Sequence, residues 1–306
     1  MNQPVTVITG ATGFLGKAVL DRLLSAGHRC HAISRNPTRA RNHLPASVTT
    51  AGWSDPLPTT TRHVINLAGD SIASIWTTRK RHRILHSRTS TLATLAAKIR
   101  SLPEPPLSLV SASAVGFYGD RPGETLTESS PPDPNRRFRF EVCNAWEHAA
   151  QAAVAGLPTR LVTLRYGNIL DPSGGLLAAF SKIFRLTRTI SHLGSPNSFK
   201  PWISLHDAAA LTVFATANPC LMNQVNATSP TPAVSSDFYL HIARFLEIQR
   251  QVLVHPRLAR LALGELAQAF AEDQRILPTR ALASGFDFAH PTLDTCFASL
   301  QSPANP

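Results

Sequence analysis

Apolar and β-branched residues gather near the start of the chain as Val5, Thr6, Val7 and Ile8, a run of the length of one buried strand. A glycine-spaced turn follows, Gly10-Ala11-Thr12-Gly13-Phe14-Leu15-Gly16, and then an amphipathic stretch from Lys17 to Ser25. Further strands are predicted at His28–Ile33, Val64–Leu67, Leu107–Ser111 and Arg160–Leu164. Between them lie a long helix from about Thr78 to Arg100, closed by Pro103-Glu104-Pro105-Pro106, and another from about Arg139 to Val154. This alternation predicts a parallel sheet with helices on both faces. Residues 119–136, rich in Gly, Pro, Asp and Ser, read as a long loop of the kind that carries function. After Arg165 the pattern changes. Gly174-Gly175 introduces an apolar helix to about Phe184, residues 187–205 read as irregular, and helices are expected at Asp207–Thr216, Ser236–Leu246, Arg257–Leu263 and Gly264–Ala271. The tail from Gln274 to Leu300 reads as short strands and helices punctuated by Pro278 and Pro291, and Gln301 to Pro306 as disordered.

Strand, glycine turn and helix in that order present backbone N–H groups to a phosphate at a helix N-terminus. Here the spacing is G-x-x-G-x-x-G, a variant of the dinucleotide fingerprint. Gly10 suits the tight turn, Gly13 the approach of the pyrophosphate and Gly16 the close packing of helix on strand. The next strand ends in Ser34-Arg35-Asn36, where an enzyme specific for NAD carries an acid for the ribose 2′-hydroxyl. A hydroxyl and a planar fork of donors suit a 2′-phosphate instead, so the expected cofactor is NADP(H). The fold class is therefore α/β: a Rossmann-type doubly wound parallel sheet with a smaller mixed α/β lobe after it. The expected division is 1–170 for the NADP-binding domain, 171–300 for a C-terminal lobe interleaved with the sheet, and 301–306 for the tail.

Composition narrows the picture. Four scattered cysteines without a C-x-x-C, and twelve histidines without H-E-x-x-H, argue against a disulfide framework and a metal site. No apolar run reaches eighteen residues and no basic leader precedes the first strand, which points to a cytoplasmic protein without a membrane partner. Thirty Lys and Arg against nineteen Asp and Glu give a net charge of +11. The densest patch, Arg79-Lys80-Arg81-His82-Arg83 with His86 and Arg88, has no nucleic-acid-reading motif beside it and reads as a solvated helix face. A small-molecule substrate, no specific nucleic acid and a monomer or homodimer are expected.

Several segments together resemble a known family. Asn66-Leu67-Ala68-Gly69, Trp76-Thr77 with Arg79-Lys80 and Ser87-Arg88, Ser111 to Gly119, Cys143 to Glu147, Leu164 to Leu170 with Gly174-Gly175, Trp202-Ile203 before His206-Asp207, Leu263-Gly264-Glu265, Leu277-Pro278 and Gly285 to Phe288 are similar to the extended or atypical short-chain dehydrogenases/reductases. More narrowly they resemble the nucleotide-sugar-epimerase-like "epimerase family protein" group with its C-terminal extension. The resemblance spans residues 4 to about 300. It implies a cofactor site built from Gly10, Thr12, Gly13, Phe14, Leu15, Gly16, Ser34, Arg35, Leu67, Ala68, Gly69, Arg88, Ser111, Arg165 and Ile169. Arg88 is placed to pair with a phosphate or ribose oxygen, and Ile169 to pack on the nicotinamide.

Short-chain dehydrogenases usually use Tyr-x-x-x-Lys, and this chain has none: Tyr118, Tyr166 and Tyr239 are followed four residues later by Pro122, Leu170 and Ala243. By register with Trp146-Glu147, Arg139 stands at the usual Tyr position and Cys143 at the usual Lys position. The candidate catalytic hydroxyls are then Ser113, just past a parallel strand, and Tyr118. Cys143 reads as a buried structural thiol, and His206-Asp207 as the start of a helix rather than a dyad. Two functions remain open: an NADP(H)-dependent oxidoreductase or epimerase acting on a small polar or sugar-like substrate, and a non-catalytic NADP(H)-dependent sensor or interaction protein.

Overall fold

Seven parallel strands make the central sheet of the computed structural model, which describes residues 3–72, 76–254 and 271–301. They are β1 (Val5–Thr9), β2 (Arg29–Ile33), β3 (Thr49–Ala51), β4 (Thr61–Asn66), β5 (Ser108–Ala114), β7 (Arg160–Tyr166) and β12 (Asn223–Ala227). Shorter strands lie between or after them: β6 (Thr125–Leu126), β8 (Asn168–Asp171), β9 (Ile190–Leu193), β10 (Phe199–Lys200), β11 (Trp202–Ser204), β13 (Ala233–Val234), β14 (Gln251–Val254) and β15 (Arg275–Ile276). The helices are α1 (Phe14–Ser25), α2 (Pro37–Arg41), α3 (Thr78–Arg100), α4 (Phe138–Val154), α5 (Gly175–Thr187), α6 (Leu205–Ala217) and α7 (Ser235–Phe245), with two short helices, Thr279–Ala283 and Leu293–Gln301, in the tail.

The sheet order is β12-β7-β5-β4-β1-β2-β3, so the chain winds one way from β1 to β3 and the other way from β4 onward. The reversal falls between β1 and β4, and in open α/β sheets a crevice opens there at the carboxyl ends of the strands. Burial on both faces explains the composition of β1, in which all five residues are buried. Helix α3 follows from its stripe: Lys80, Ile84, Arg88, Leu92, Leu95 and Ile99 are its buried positions, spaced three or four apart. Thr77 caps it by accepting from the Lys80 N–H at 3.2 Å.

A second apolar cluster is separate from the core of the sheet. It is built by Leu177, Phe180 and Phe184 of α5, Phe238, Tyr239 and Ile242 of α7, and Leu293, Cys296 and Phe297 of the last helix. This is the smaller lobe.

Two readings change. Residues 187–205 hold β9, β10 and β11 rather than irregular chain. The seventh strand of the sheet, β12, carries the polar sequence Asn-Gln-Val-Asn-Ala, which hides it from a pattern search. Through β12 and the α6 helix before it, the chain beyond 170 returns to pack on the sheet unit. The helices expected at Arg257–Leu263 and Gly264–Ala271, the Leu263-Gly264-Glu265 segment and the tail beyond Gln301 lie outside the described residues. Among the described residues no helix is long and apolar enough to cross a membrane.

Candidate functional site

A cleft of about 530 Å³ opens at the reversal point. Its floor is the glycine turn after β1, Gly10 to Gly13. One wall is the end of β2 with Ser34 and Arg35, and the other is the turn after β4, Leu67 to Asp70. Local chemistry dictates this shape. Gly10 has φ +74, and a Cβ there would lie 2.8 Å from the Leu67 carbonyl carbon and oxygen, so only glycine lets the two turns meet. A Cβ on Gly16 would sit 2.0 Å from the Gly10 oxygen, which is the close helix–strand approach read from the spacing. Gly13 is the N-cap of α1, and Thr12 and Gly13 are exposed to the cleft. Phe14 lies against Gly174 and Gly175, and Leu15 packs on the core, so these two hold the turn from behind.

The turn from Leu67 to Asp70 is fixed from several sides. The Thr9 hydroxyl donates to Asn66 Oδ1 at 2.7 Å and accepts from the Ala68 N–H at 3.3 Å. Asn66 Nδ2 in turn donates to Ser111 Oγ at 3.3 Å. Ser87 Oγ accepts from the Asp70 N–H at 3.0 Å. Lys80 pairs with the Asp70 carboxylate at 3.0 Å and Arg83 approaches it at 3.4 Å; the hydrogen bond from Lys80 holds that carboxyl below its ordinary range. Lys80 and Arg83 of the basic patch, and Arg88 with them, are therefore spent on this turn, and Lys80 is buried, so the patch is not simply a solvated face.

Four residues expected at the cofactor do not line this cleft. Arg88 is buried, stacked over Trp146 at 4.7 Å, and its Nη1 donates to the carbonyls of Ile84 at 2.9 Å and Asp70 at 3.2 Å. It props the Gly69–Asp70 turn from behind. Ser111 is sealed within the sheet and reaches the cleft only through Asn66 and Thr9. Arg165 is buried in a two-pronged pair with Glu147, both contacts at 2.8 Å. Ile169 is half-buried on β8, packed against the main core.

Sequence reasoning missed Trp53, Ala40, Leu44, His86, Ser90, Thr91 and Thr94, all of which line the cleft. The last three, with Ser87, stand at helical spacing along α3 as a row of hydroxyls, a signal present in the sequence. Trp53 gave no local signal, since it comes from the loop after β3.

The candidate catalytic hydroxyls are not open to the cleft. Ser113 is buried and its Oγ donates to Glu147 Oε1 at 2.8 Å. Tyr118 is fully buried; its hydroxyl donates to Asn226 Oδ1 at 2.7 Å and accepts from Arg165 Nη1 at 3.0 Å. Burial raises the Tyr118 phenol above its ordinary range despite Arg165 beside it. Arg165 is also packed 3.5 Å from the Phe117 ring centroid. Both hydroxyls thus belong to a buried polar network, and neither lines the cleft.

A smaller cavity, about 90 Å³, lies where the sheet end meets the lobe. Arg139, Lys200, Asn168, Gln274 and Glu272 line it together with Phe180 and Phe238. Arg139 crosses Gly116 and pairs with Glu272 at 2.5 Å. Cys143 does not reach it: the buried thiol donates to the Ala114 carbonyl at 3.4 Å, and burial pushes it up to about 11, as befits a structural cysteine.

His206, Asp207 and His290 form the one group of potential metal-ligating side chains found among the described residues, their ligand atoms within 4.8 Å of one another. His206 Nδ1 and Asp207 Oδ1 do meet, at 3.2 Å. The Asp207 oxygens, however, accept the N–H groups of Ala289 at 3.0 Å and His290 at 2.9 Å, which ties the tail to α6.

Comparison with known proteins agrees with this architecture. The model of the NAD dependent epimerase/dehydratase family matches residues 6–226, and that of a domain of unknown function, DUF1731, matches residues 257–300. The epimerase family protein YfhF of Bacillus subtilis (strain 168) is 31% identical over 304 residues, covering 96% of each chain. The crystal structure of the human epimerase family protein SDR39U1 with NADPH is 26% identical and superposes with a TM-score of 0.86, covering 97% of this chain and 98% of that one. The Thermus thermophilus UDP-glucose 4-epimerase in complex with NAD shares the fold, with a TM-score of 0.71 at 19% identity over 97% of this chain and 99% of the other. With the family model spanning more than two-thirds of the sequence and the switch-point cleft in place, the chain belongs to the NAD dependent epimerase/dehydratase family.

Proposed function

We propose that this protein binds NADP(H) in the large cleft and acts as an oxidoreductase or epimerase on a small polar or sugar-like substrate. The observation that carries the reading is the pair Ser34 and Arg35 at the wall of the cleft, where an acid would favour NAD. The human relative was solved with NADPH, which agrees with it.

The cleft fits a dinucleotide. The Gly10–Gly13 turn offers backbone N–H groups at the start of α1, with no side chain between them and a pyrophosphate. Arg35 is exposed and supplies donors for a 2′-phosphate, while Ala40, Leu44 and Trp53 give the apolar wall for a base. The hydroxyls of Ser87, Ser90, Thr91 and Thr94 border the opposite side. When bound, the nicotinamide supplies the hydride chemistry. The chain's own part is to hold the cofactor and to present a substrate from the smaller cavity beside Val115, Asn168 and Lys200.

A second reading, an NADP(H)-dependent sensor, is favoured by one observation: Arg139 and Cys143 occupy the places of the usual Tyr and Lys. The test is turnover. Purified protein with NADPH is offered a panel of aldehydes, ketones and sugar nucleotides, with nicotinamide absorbance and product analysis for redox-neutral epimerisation. Turnover of one class is expected. NADPH binding with no turnover across the panel would replace the enzyme by the sensor.

A further inference from the structure

We propose that the smaller cavity is a subsite for a short carboxylate-bearing ligand with an apolar body, anchored by Lys200 with Arg139 alongside. This rests on the enzyme reading above and names the substrate class of that site.

Lys200 ends strand β10 and is only 5% exposed. An ammonium has three donors. Here the described partner of Nζ is one backbone carbonyl, that of Glu272, at 2.9 Å. Among the described residues no carboxylate lies within ion-pair distance of it. The acids in the neighbourhood are already engaged. Glu272 faces Arg139 at 2.5 Å and Arg137 at 3.5 Å. Asp273 Oδ1 accepts from the Phe199 N–H at 2.7 Å, and Asp120 Oδ1 from the Asp273 N–H at 2.8 Å. A buried cation left without an ionic partner is costly, so its natural complement is an anion brought in by a ligand.

The balance of forces on the lysine agrees. Burial outweighs the attraction of Asp273, Glu272 and Asp120 and, with Arg139 repelling it, draws the ammonium down to about 8, so it stays mostly charged at neutral pH. Val115, Leu176, Phe180 and Phe238 also line the cavity and give it apolar surface. About 90 Å³ is far below the roughly 300–1,000 Å³ of pockets that enclose a drug-sized ligand. A carboxylate with a few carbons fits that space. A neutral sugar would leave Lys200 without an anionic partner.

The test is calorimetric titration of the full chain, free and NADPH-loaded, with 2-methylpropanoate, 3-methyl-2-oxobutanoate, the amides of both acids, and UDP-glucose. Reading the free protein as well keeps this result separate from that for NADPH. The acids are expected to bind at least about tenfold more tightly than their amides, in line with a charge-assisted contact. Lys200→Met should lose that preference and Lys200→Arg keep it, with NADPH affinity unchanged in both. Equal binding of acid and amide, no binding of either, or UDP-glucose binding in their place would overturn the proposal. So would undiminished acid affinity in a folded Lys200→Met. The wild-type comparison of acid with amide decides the matter even if a variant fails to fold.

Discussion

The cofactor cleft and the polar network behind β5 use the same residue types to opposite ends. In the cleft, Ser34 and Arg35 stand at the surface, with Arg35 exposed and the glycine turn bare. Behind β5, Ser113, Glu147, Arg165, Tyr118 and Asn226 form one closed chain in which each named polar group meets another. The network continues to the tail: the Asn226 N–H donates to Glu128 Oε1 at 3.0 Å, and Glu128 accepts from the Thr279 hydroxyl and the Arg280 N–H. A charge that faces solvent and lacks a partner is available to a ligand. A charge already paired and buried is part of the fold, and its removal is felt as instability.

Glu147→Ala tests the closed side hardest. It leaves Arg165 buried without its carboxylate, and breaking such a pair costs about 3–5 kcal/mol. Chemical denaturation should show this loss, while the folded fraction should bind NADPH normally. Unchanged stability would mean that the pair is not what closes this region. On the open side, Gly13→Val should weaken NADPH binding by about a hundredfold or more, because side-chain branches would occupy the pyrophosphate approach, with circular dichroism unchanged. A folded variant that retains full NADPH affinity would move the phosphate site elsewhere. A smaller effect separates wall from catalyst. Tyr118→Phe deprives Asn226 Oδ1 of its donor and should cost about 1 kcal/mol of stability. On a substrate the wild type reduces, kcat should stay within about twofold, a difference below about 0.5 kcal/mol in barrier. A drop of several orders in kcat would make the phenol catalytic after all.

Much of the fold was legible because periodicity reports burial. The long helix matches its predicted span, Thr78 to Arg100, since its buried positions recur at helical spacing. The glycine turn was legible because only glycine satisfies its φ and its close contacts. The expected site residues that the structure engages within the fold share one cause. Ser111, Ser113 and Arg165 are polar residues near the ends of parallel strands, where ligands bind, and Tyr118 follows β5 after one short turn, but whether a polar group faces a ligand or another residue depends on partners distant in the chain. Glu147 is 34 positions from Ser113, and Asn226 is 108 from Tyr118. Strand β12 was hidden for the reverse reason: the buried side chain of Asn226 is satisfied by the Tyr118 hydroxyl and the Leu277 carbonyl, so a polar residue sits where a pattern search seeks an apolar one. Lys200 gave no signal either, because its burial arises only where the lobe folds onto the sheet.

The central claim, that the open cleft takes NADP(H) through Arg35, is tested most directly by titrating NADPH and NADH calorimetrically against the wild type and Arg35→Ala. Loss of a charge-assisted contact to the 2′-phosphate is worth about 1.5–3 kcal/mol, roughly ten- to a hundredfold. NADPH should therefore bind the wild type more tightly than NADH by that factor, and Arg35→Ala should erase the difference without altering stability. Equal affinities in the wild type, or a preference that survives Arg35→Ala, would contradict it.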